Sequence, residues 1–308
     1  MLQRLDRYGQ NGMKTPVRGS DIAMLLSDAD LLTLLSSSDS PAIIEPPGKR
    51  KHITHRELNQ FITHEFDLVK FGIGHGCRVA IVLPNSPELA VCILAVVSRW
   101  CAAPINSTYT SDEIKSELIS MKCMAIIVLE GAPNSDAAIQ AAEALQLGII
   151  ILNESNSKTG LFSLRLLATP PETARTVGPS HQKSVIGSTG SHPETVLLLH
   201  TSGTSGNKKC VPYSLDMILI GAGCIISSWN LKPEDMCLNM MPLFHIGGIV
   251  RNLFSPILAG GSMISCRGFD PAQFWDLLSL YKFTWYYAAP TMHHAILQEA
   301  DRQLRYES

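Results

Sequence analysis

From about residue 42 onward, short apolar runs alternate with longer stretches in which apolar positions recur at helical spacing. The runs at 42–45, 78–83, 103–106, 125–130 and 148–152 read as strands, as do those at 196–201, 237–241, 262–265 and 284–288. Several are continuous rather than alternating, the pattern of strands buried on both faces of a parallel sheet. Helix starts are marked between them. Thr54 with Glu57, and Thr110 with Glu113, are capping boxes. Ser86 before Pro87, and Asp270 before Pro271, place a cap ahead of a proline at the first helical position. Strand–helix alternation predicts an α/β fold with largely parallel, stacked sheets flanked by helices. Residues 169–195, with Pro170, Pro171, Pro179 and Pro193 among Ser, Thr and Gly, break the pattern and read as a linker. The expected layout is therefore an N-terminal extension with a first helix over 1–40 and a first α/β subdomain over 41–168. The linker at 169–195 then leads to a second α/β subdomain over 196–308.

Composition adds one constraint. The 308 residues are 45% hydrophobic and only 17% charged, where a soluble domain carries about 25% charge. Buried parallel sheets account for such a bias, as does a surface meant to be covered by further protein. A net charge of −2 with no basic stripe gives no support to nucleic-acid binding. The densest basic cluster, Lys49 to Lys51 beside Pro46, Pro47 and Gly48, reads as a solvated turn. None of the eight cysteines stands at CxxC spacing, so buried free thiols are expected and a zinc site is not. Adjacent His293 and His294 point different ways on a helix and do not share a metal readily. Residues 1–20 lack an apolar signal core, and the apolar runs at 89–97 and 217–226 are too short to span a bilayer. A cytoplasmic protein without a transmembrane segment is expected, or a peroxisomal one if the native C-terminus lies beyond Ser308.

The chemistry is concentrated in one segment, Leu197-Leu198-Leu199-His200-Thr201-Ser202-Gly203-Thr204-Ser205-Gly206-Asn207-Lys208-Lys209. An apolar strand runs into hydroxyl residues, two glycines and two lysines, with a helix expected from about Tyr213. Glycines let successive backbone N–H groups converge on an anion. The hydroxyls of Thr201, Ser202, Thr204 and Ser205 add donors, and one of them, Thr201, is a candidate contact for Mg²⁺. A lysine supplies a point charge against a polyphosphate. The spacing of Gly203 and Gly206 is not that of a Walker A loop.

This segment resembles the phosphate-binding signature T-S-G-[ST]-T-G-x-P-K-G of the adenylate-forming superfamily of acyl-CoA synthetases, luciferases and peptide-synthetase adenylation domains. Lys209 falls on the family lysine. Lys208 stands where proline is usual, which loosens a stiff turn, and Cys210 where glycine is usual, which adds a Cβ. Other segments follow in family order. Residues 76–85, ending in Leu83-Pro84-Asn85, resemble the early G-x-R-V-A-I-x-x-P-N strand and turn. Pro104-Ile105-Asn106-Ser107-Thr108-Tyr109-Thr110 resembles P-x-N-x-x-Y-T. Met241-Pro242-Leu243-Phe244-His245-Ile246-Gly247-Gly248 resembles the P-L-F-H-x-x-G motif that lines the acyl and nucleotide pocket. Residues 284–291, ending in Pro290-Thr291, resemble the turn into a pocket-wall helix. The run Val211-Pro212-Tyr213-Ser214 is similar to a subgroup that includes oxalyl-CoA synthetases.

The resemblance implies the large N-terminal domain of the adenylate-forming fold, ending before the small C-terminal domain. It implies ATP, Mg²⁺ and CoA, and a small carboxylic acid activated to an acyl-adenylate and passed to CoA or a carrier-protein thiol. Thr201, Ser202, Gly203, Thr204, Ser205, Gly206 and Lys209 would hold the ATP phosphates. His245, Gly247, Pro290 and Thr291 would line the pocket. The Y-G-x-T-E segment, the ribose aspartate and the catalytic lysine of the family are not found in these 308 residues, so the active site is expected to be incomplete here. A catalytically inactive relative that only binds nucleotide or acyl groups is the alternative, and an unrelated α/β nucleotide binder is a third reading.

Overall fold

The structure is a computed structural model and describes residues 26, 29–48, 50–174, 195–201 and 208–306. In chain order the elements are α1 (Leu31–Leu34), β1 (Pro41–Ile44), β2 (Ile53–Thr54), α2 (His55–Gln60), β3 (Arg78–Val82), α3 (Pro87–Val97) and β4 (Cys101–Pro104). There follow α4 (Ser111–Met121), β5 (Ala125–Leu129), α5 (Ser135–Ala144), β6 (Gly148–Glu154), β7 (Phe162–Ala168), β8 (Leu197–Thr201) and β9 (Lys209–Tyr213). The last are α6 (Leu215–Trp229), β10 (Met236–Asn239), α7 (Ser255–Ala259), β11 (Ser262–Ser265), α8 (Pro271–Tyr281), β12 (Trp285–Tyr286) and α9 (Pro290–Tyr306).

Two sheets result. One has the order β7-β6-β5-β3-β4-β8-β9 and the other β12-β10-β11-β1-β2. Pairing is parallel except at the edges, where β7 runs antiparallel to β6, β9 to β8 and β2 to β1. Both sheets draw strands from both sides of the 169–195 segment. The α/β class with parallel-rich sheets is thus as expected from the sequence.

The two faces of the seven-stranded sheet explain its apolar runs. Val79 and Ile81 of β3 enter the main core with Ile43, Met263 and the helices between the sheets, while Ala80 and Val82 enter a second core under α4 and α5. Strand period 2 with both faces covered demands a run without polar interruptions. Helix α3 is buried at all eleven positions, as a helix that is apolar all round but for one residue, Glu88, must be. A third core packs β10 and β11 against α8 and α9.

All four sequence-marked starts are realised. Thr54–Glu57 and Thr110–Glu113 form reciprocal capping boxes, and Ser86 and Asp270 accept backbone N–H bonds at the heads of α3 and α8. The helix expected from about Tyr213 runs from Leu215, capped by Ser214. Ahead of it, Lys209–Tyr213 returns along β8 as an edge strand that its own pattern does not predict, and Pro212 is tolerated because an edge strand has one unpaired side. One expectation needs correction, at Arg50 of the basic cluster. Pro47, Gly48 and Lys51 are exposed and Lys49 lies outside the described residues, but the Arg50 side chain is only 11% exposed and bonds Glu45 at 2.9 Å and the fully buried Glu88 at 2.8 Å.

Candidate functional site

Strands β3, β8, β10 and β12 carry their exit loops at carboxyl ends, the positions at which open α/β sheets bind ligands. The sequence-predicted residues sit on these exits. Thr201 closes β8, the Pro242–Gly248 segment follows β10, and Pro290 and Thr291 follow β12 at the exposed head of α9. Ser202, Gly203, Thr204, Ser205 and Gly206 lie outside the described residues.

The flanks of that segment are well defined. Thr201 is the direct ladder partner of Lys209, and His200 of Cys210. Opposed residues in an antiparallel pair point to the same face, and neighbours along a strand to opposite faces. Thr201 and Lys209, both exposed, therefore share one face. The other face carries His200, whose Nδ1 bonds Glu117 Oε2. On this side Lys208 Nζ reaches Glu117 Oε1 at 2.6 Å and stands 4.4 Å from the centre of the Tyr109 ring. The Glu117 carboxylate holds the Lys208 pKa above the usual lysine value. The two adjacent lysines thus face opposite ways: Lys208 is paired with Glu117 on the α4 side, and Lys209 lies on the exposed face with Thr201.

Sequence reasoning missed Glu117, although a signal was present. Ile114, Glu117, Leu118 and Met121 are the buried residues of α4. They occupy the i, i+3, i+4, i+7 stripe that faces a core. A carboxylate on that stripe calls for a partner.

The Pro242–Gly248 segment is held on several sides. Asn85, at the β3 exit, donates to Cys266 O at 2.8 Å and accepts from Leu243 N at 3.1 Å. Asn239 Oδ1 accepts from Met241 N and from Asn252 Nδ2. A Cβ on Gly248 would stand 2.4 Å from Pro242 O, so only glycine fits there, and one on Gly247 would meet the Tyr287 ring at 3.3 Å. Arg251 stacks its guanidinium 4.3 Å from the centre of that ring. His245 is open to solvent on one side, its ring 4.6 Å from Phe244, and burial of the other side lowers its pKa. The structure thus brings Gly247 beside Tyr287, which precedes Pro290 and Thr291 in the chain.

Two clefts, of about 400 and 480 Å³, lie elsewhere, beside Trp229 and Trp285 and beside Glu88 and Glu154, and neither is lined by a predicted site residue. All eight cysteines are free, and burial pushes the Cys101 and Cys266 thiols up to about 12, so neither is poised as a nucleophile. Among the described residues no group of three or more His, Cys, Asp or Glu is placed to hold a metal, and no helix is long and apolar enough to cross a membrane. His293 bonds Tyr286 and His294 faces Gln298.

Comparison with known proteins agrees with this architecture. Acyl-CoA synthetase FUM10 of Gibberella moniliformis is 32% identical over 85% of this chain and 49% of its own length. The probable CoA ligase CCL9 of Humulus lupulus is 31% identical over 82% of this chain and 46% of its own. An oxalate–CoA ligase of Arabidopsis thaliana is 29% identical over 80% and 46%. The chain spans about half the length of these relatives. Among solved structures, ATP-bound MatB from Rhodopseudomonas palustris superposes with a TM-score of 0.67 at 24% identity, covering 88% of this chain and 51% of MatB. MenE from Bacillus subtilis, in complex with the acyl-adenylate intermediate OSB-AMP, gives 0.65 at 17% identity, with coverage of 88% and 64%. These establish the fold, the N-terminal domain of adenylate-forming enzymes. The family profile described as AMP-binding enzyme matches residues 35–308, and the chain belongs to that family.

Proposed function

We propose that this chain supplies the phosphate-binding part of an ATP-dependent ligase that converts a small carboxylic acid to an acyl-adenylate and then to a thioester of CoA or of a carrier thiol. One observation carries the reading: Thr201 and Lys209, at the two ends of the hydroxyl- and glycine-rich segment, are ladder partners and present a hydroxyl and an ammonium on one exposed face.

In this reaction the substrate carboxylate attacks the α-phosphorus of ATP and pyrophosphate leaves. Negative charge grows on the leaving oxygens, and catalysis by this part of the protein is electrostatic. Lys209 meets that charge, and Ser202 to Gly206 add hydroxyl and backbone donors. A Mg²⁺ ion would screen the β- and γ-phosphates, with the Thr201 hydroxyl as its contact. His245, Gly247, Pro290 and Thr291 form the acyl side of the pocket. The ATP and acyl-adenylate in the two solved neighbours accord with this order of events.

The test is equilibrium ATP binding and ATP–pyrophosphate exchange by the chain and by Lys209→Ala. Weakened ATP binding in the variant is the expected result, and equal affinity in both would remove Lys209 from the site. Exchange by the chain would exclude the alternative of a protein that only holds nucleotide, whereas binding without exchange is the outcome for a chain that carries the phosphate-binding part alone.

A further inference from the structure

Glu117 makes two contacts that the ligase reading leaves unused. One of its oxygens is bonded to His200 and the other to Lys208, so a single carboxylate grips the chain on both sides of residues 202–207. The His200 arm of the grip is buried, with the Glu117 side chain 7% exposed and that of His200 9%, whereas Lys208 reaches the same carboxylate from the surface and is 44% exposed. Ser120, one turn further along α4, faces His200 Nε2 at 3.1 Å. Both ring nitrogens therefore have partners, Nδ1 on Glu117 and Nε2 on the Ser120 hydroxyl. Tyr109, just ahead of α4, offers Lys208 its ring and, at 3.3 Å, its hydroxyl.

We propose that Glu117 is a positioning residue for the nucleotide phosphates, clasping both roots of the 202–207 segment through His200 and Lys208, so that the Glu117–Lys208 pair replaces the stiffness that a proline at 208 would provide. The inference rests on the ATP-binding reading of that segment. Backbone N–H groups can be aimed at a polyphosphate only if the chain that carries them has fixed ends, and each end left free adds ordering cost to binding. Ladder bonds alone fix Thr201 against Lys209, at the edge of the sheet. The clasp adds a second attachment to α4, whose Ile114, Leu118 and Met121 are buried in the core beneath it. Glu117 does not touch the phosphates in this scheme, and Lys208 is a strut rather than a phosphate ligand.

The experiment is calorimetric titration of the 308-residue chain with MgATP, together with hydrogen exchange of peptides spanning β8 to β9. The variants are Glu117→Gln, Lys208→Met, Lys208→Pro and the double variant Glu117→Gln/Lys208→Pro. Glu117→Gln and Lys208→Met should each weaken ATP binding about tenfold, the loss of one charged hydrogen bond. Both should speed exchange between β8 and β9 while peptides from β5 and β6 stay unchanged. Glu117→Gln/Lys208→Pro should regain most of the affinity, because proline stiffens the turn without a partner, a recovery that a merely structural Glu117 would not show. Wild-type affinity in Glu117→Gln, or no recovery with proline, overturns the inference while leaving the ATP reading intact. A wild-type chain that binds no ATP sinks the ATP reading itself. The exchange rates then still show whether the clasp exists.

Discussion

Asn85 Oδ1 accepts the backbone N–H of Leu243 at 3.1 Å, across 158 positions of sequence. Through its Nδ2 the same side chain donates to Cys266 O at 2.8 Å. The exit of β3, in the seven-stranded sheet, is thereby stitched to the exits of β10 and β11 in the other. Asn85→Ala would leave a part-buried donor and acceptor without partners, at a cost of about 1–3 kcal/mol. Asn85→Asp should not repair it, since a carboxylate can accept from Leu243 but has nothing to donate to Cys266. Urea unfolding midpoints of both variants check this, and a midpoint like that of the native chain in either would show the stitch to be dispensable.

Arg50 is the partner on which Glu88 depends. Glu88 is wholly buried in α3; its Oε1 accepts from Arg50 and from Gly160 N, and its Oε2 has no partner. Removing one member of a buried ion pair strands the other charge and costs about 3–5 kcal/mol, much more than an exposed pair contributes. Arg50→Met should show a loss of that size in chemical denaturation. Arg50→Met/Glu88→Gln should recover part of it because the stranded charge is gone. If the double variant is no more stable than the single, the cost lies in packing of the Arg50 stem instead.

How much of this was readable in advance follows from the range of each interaction. The caps at Thr54, Ser86, Thr110 and Asp270 bond residues two or three positions away, so a local pattern sufficed. The apolar runs of β3, β5 and β6 declared double-sided burial. Strand β9 did not declare itself, because Lys209–Tyr213 becomes extended by pairing with β8 and not by its own periodicity. The burial of Arg50 depends on Glu88, 38 positions away, and the clasp on Glu117 and Lys208, 91 positions apart. Partners at that separation are set by sheet order, and in this fold β1 lies beside β11 and β4 beside β8. The hydroxyl- and glycine-rich segment stood out by its residues, and the motif singled out Lys209; that Lys208 turns the other way, to Glu117, required the register.

Gly248 is required for space. Its Cβ position lies 2.4 Å from Pro242 O and 3.2 Å from Pro242 C, backbone atoms that cannot swing aside. Gly248→Ala should displace the Pro242–Gly248 segment and destabilise the chain by about 1–3 kcal/mol, in the range of overpacked sites. Gly247→Ala meets only the edge of the Tyr287 ring at 3.3 Å and should cost less. Thermal unfolding of the two variants side by side gives the order, and the reverse order would contradict the packing described.

His55 should make stability depend on pH. It is buried, its Nε2 donates to Gly261 O at 2.8 Å, and its Nδ1 has no partner. Burial is the dominant cause that holds its pKa below the usual histidine value, outweighing the backbone bonds to Gly261 and Gly260. The unfolded chain therefore takes up a proton at His55 near pH 6.5, while the folded chain resists until lower pH. In that window the unfolded state binds more protons, so unfolding free energy rises with pH, by at most about 1.4 kcal/mol per unit for one group. The contribution is complete above the unfolded pKa and is lost as pH falls toward the folded one. Gln at position 55 can still donate to Gly261 O but does not titrate. Urea midpoints of the native chain should fall between pH 7.5 and 5.5 more steeply than those of His55→Gln, and parallel profiles would assign the acid sensitivity to other groups.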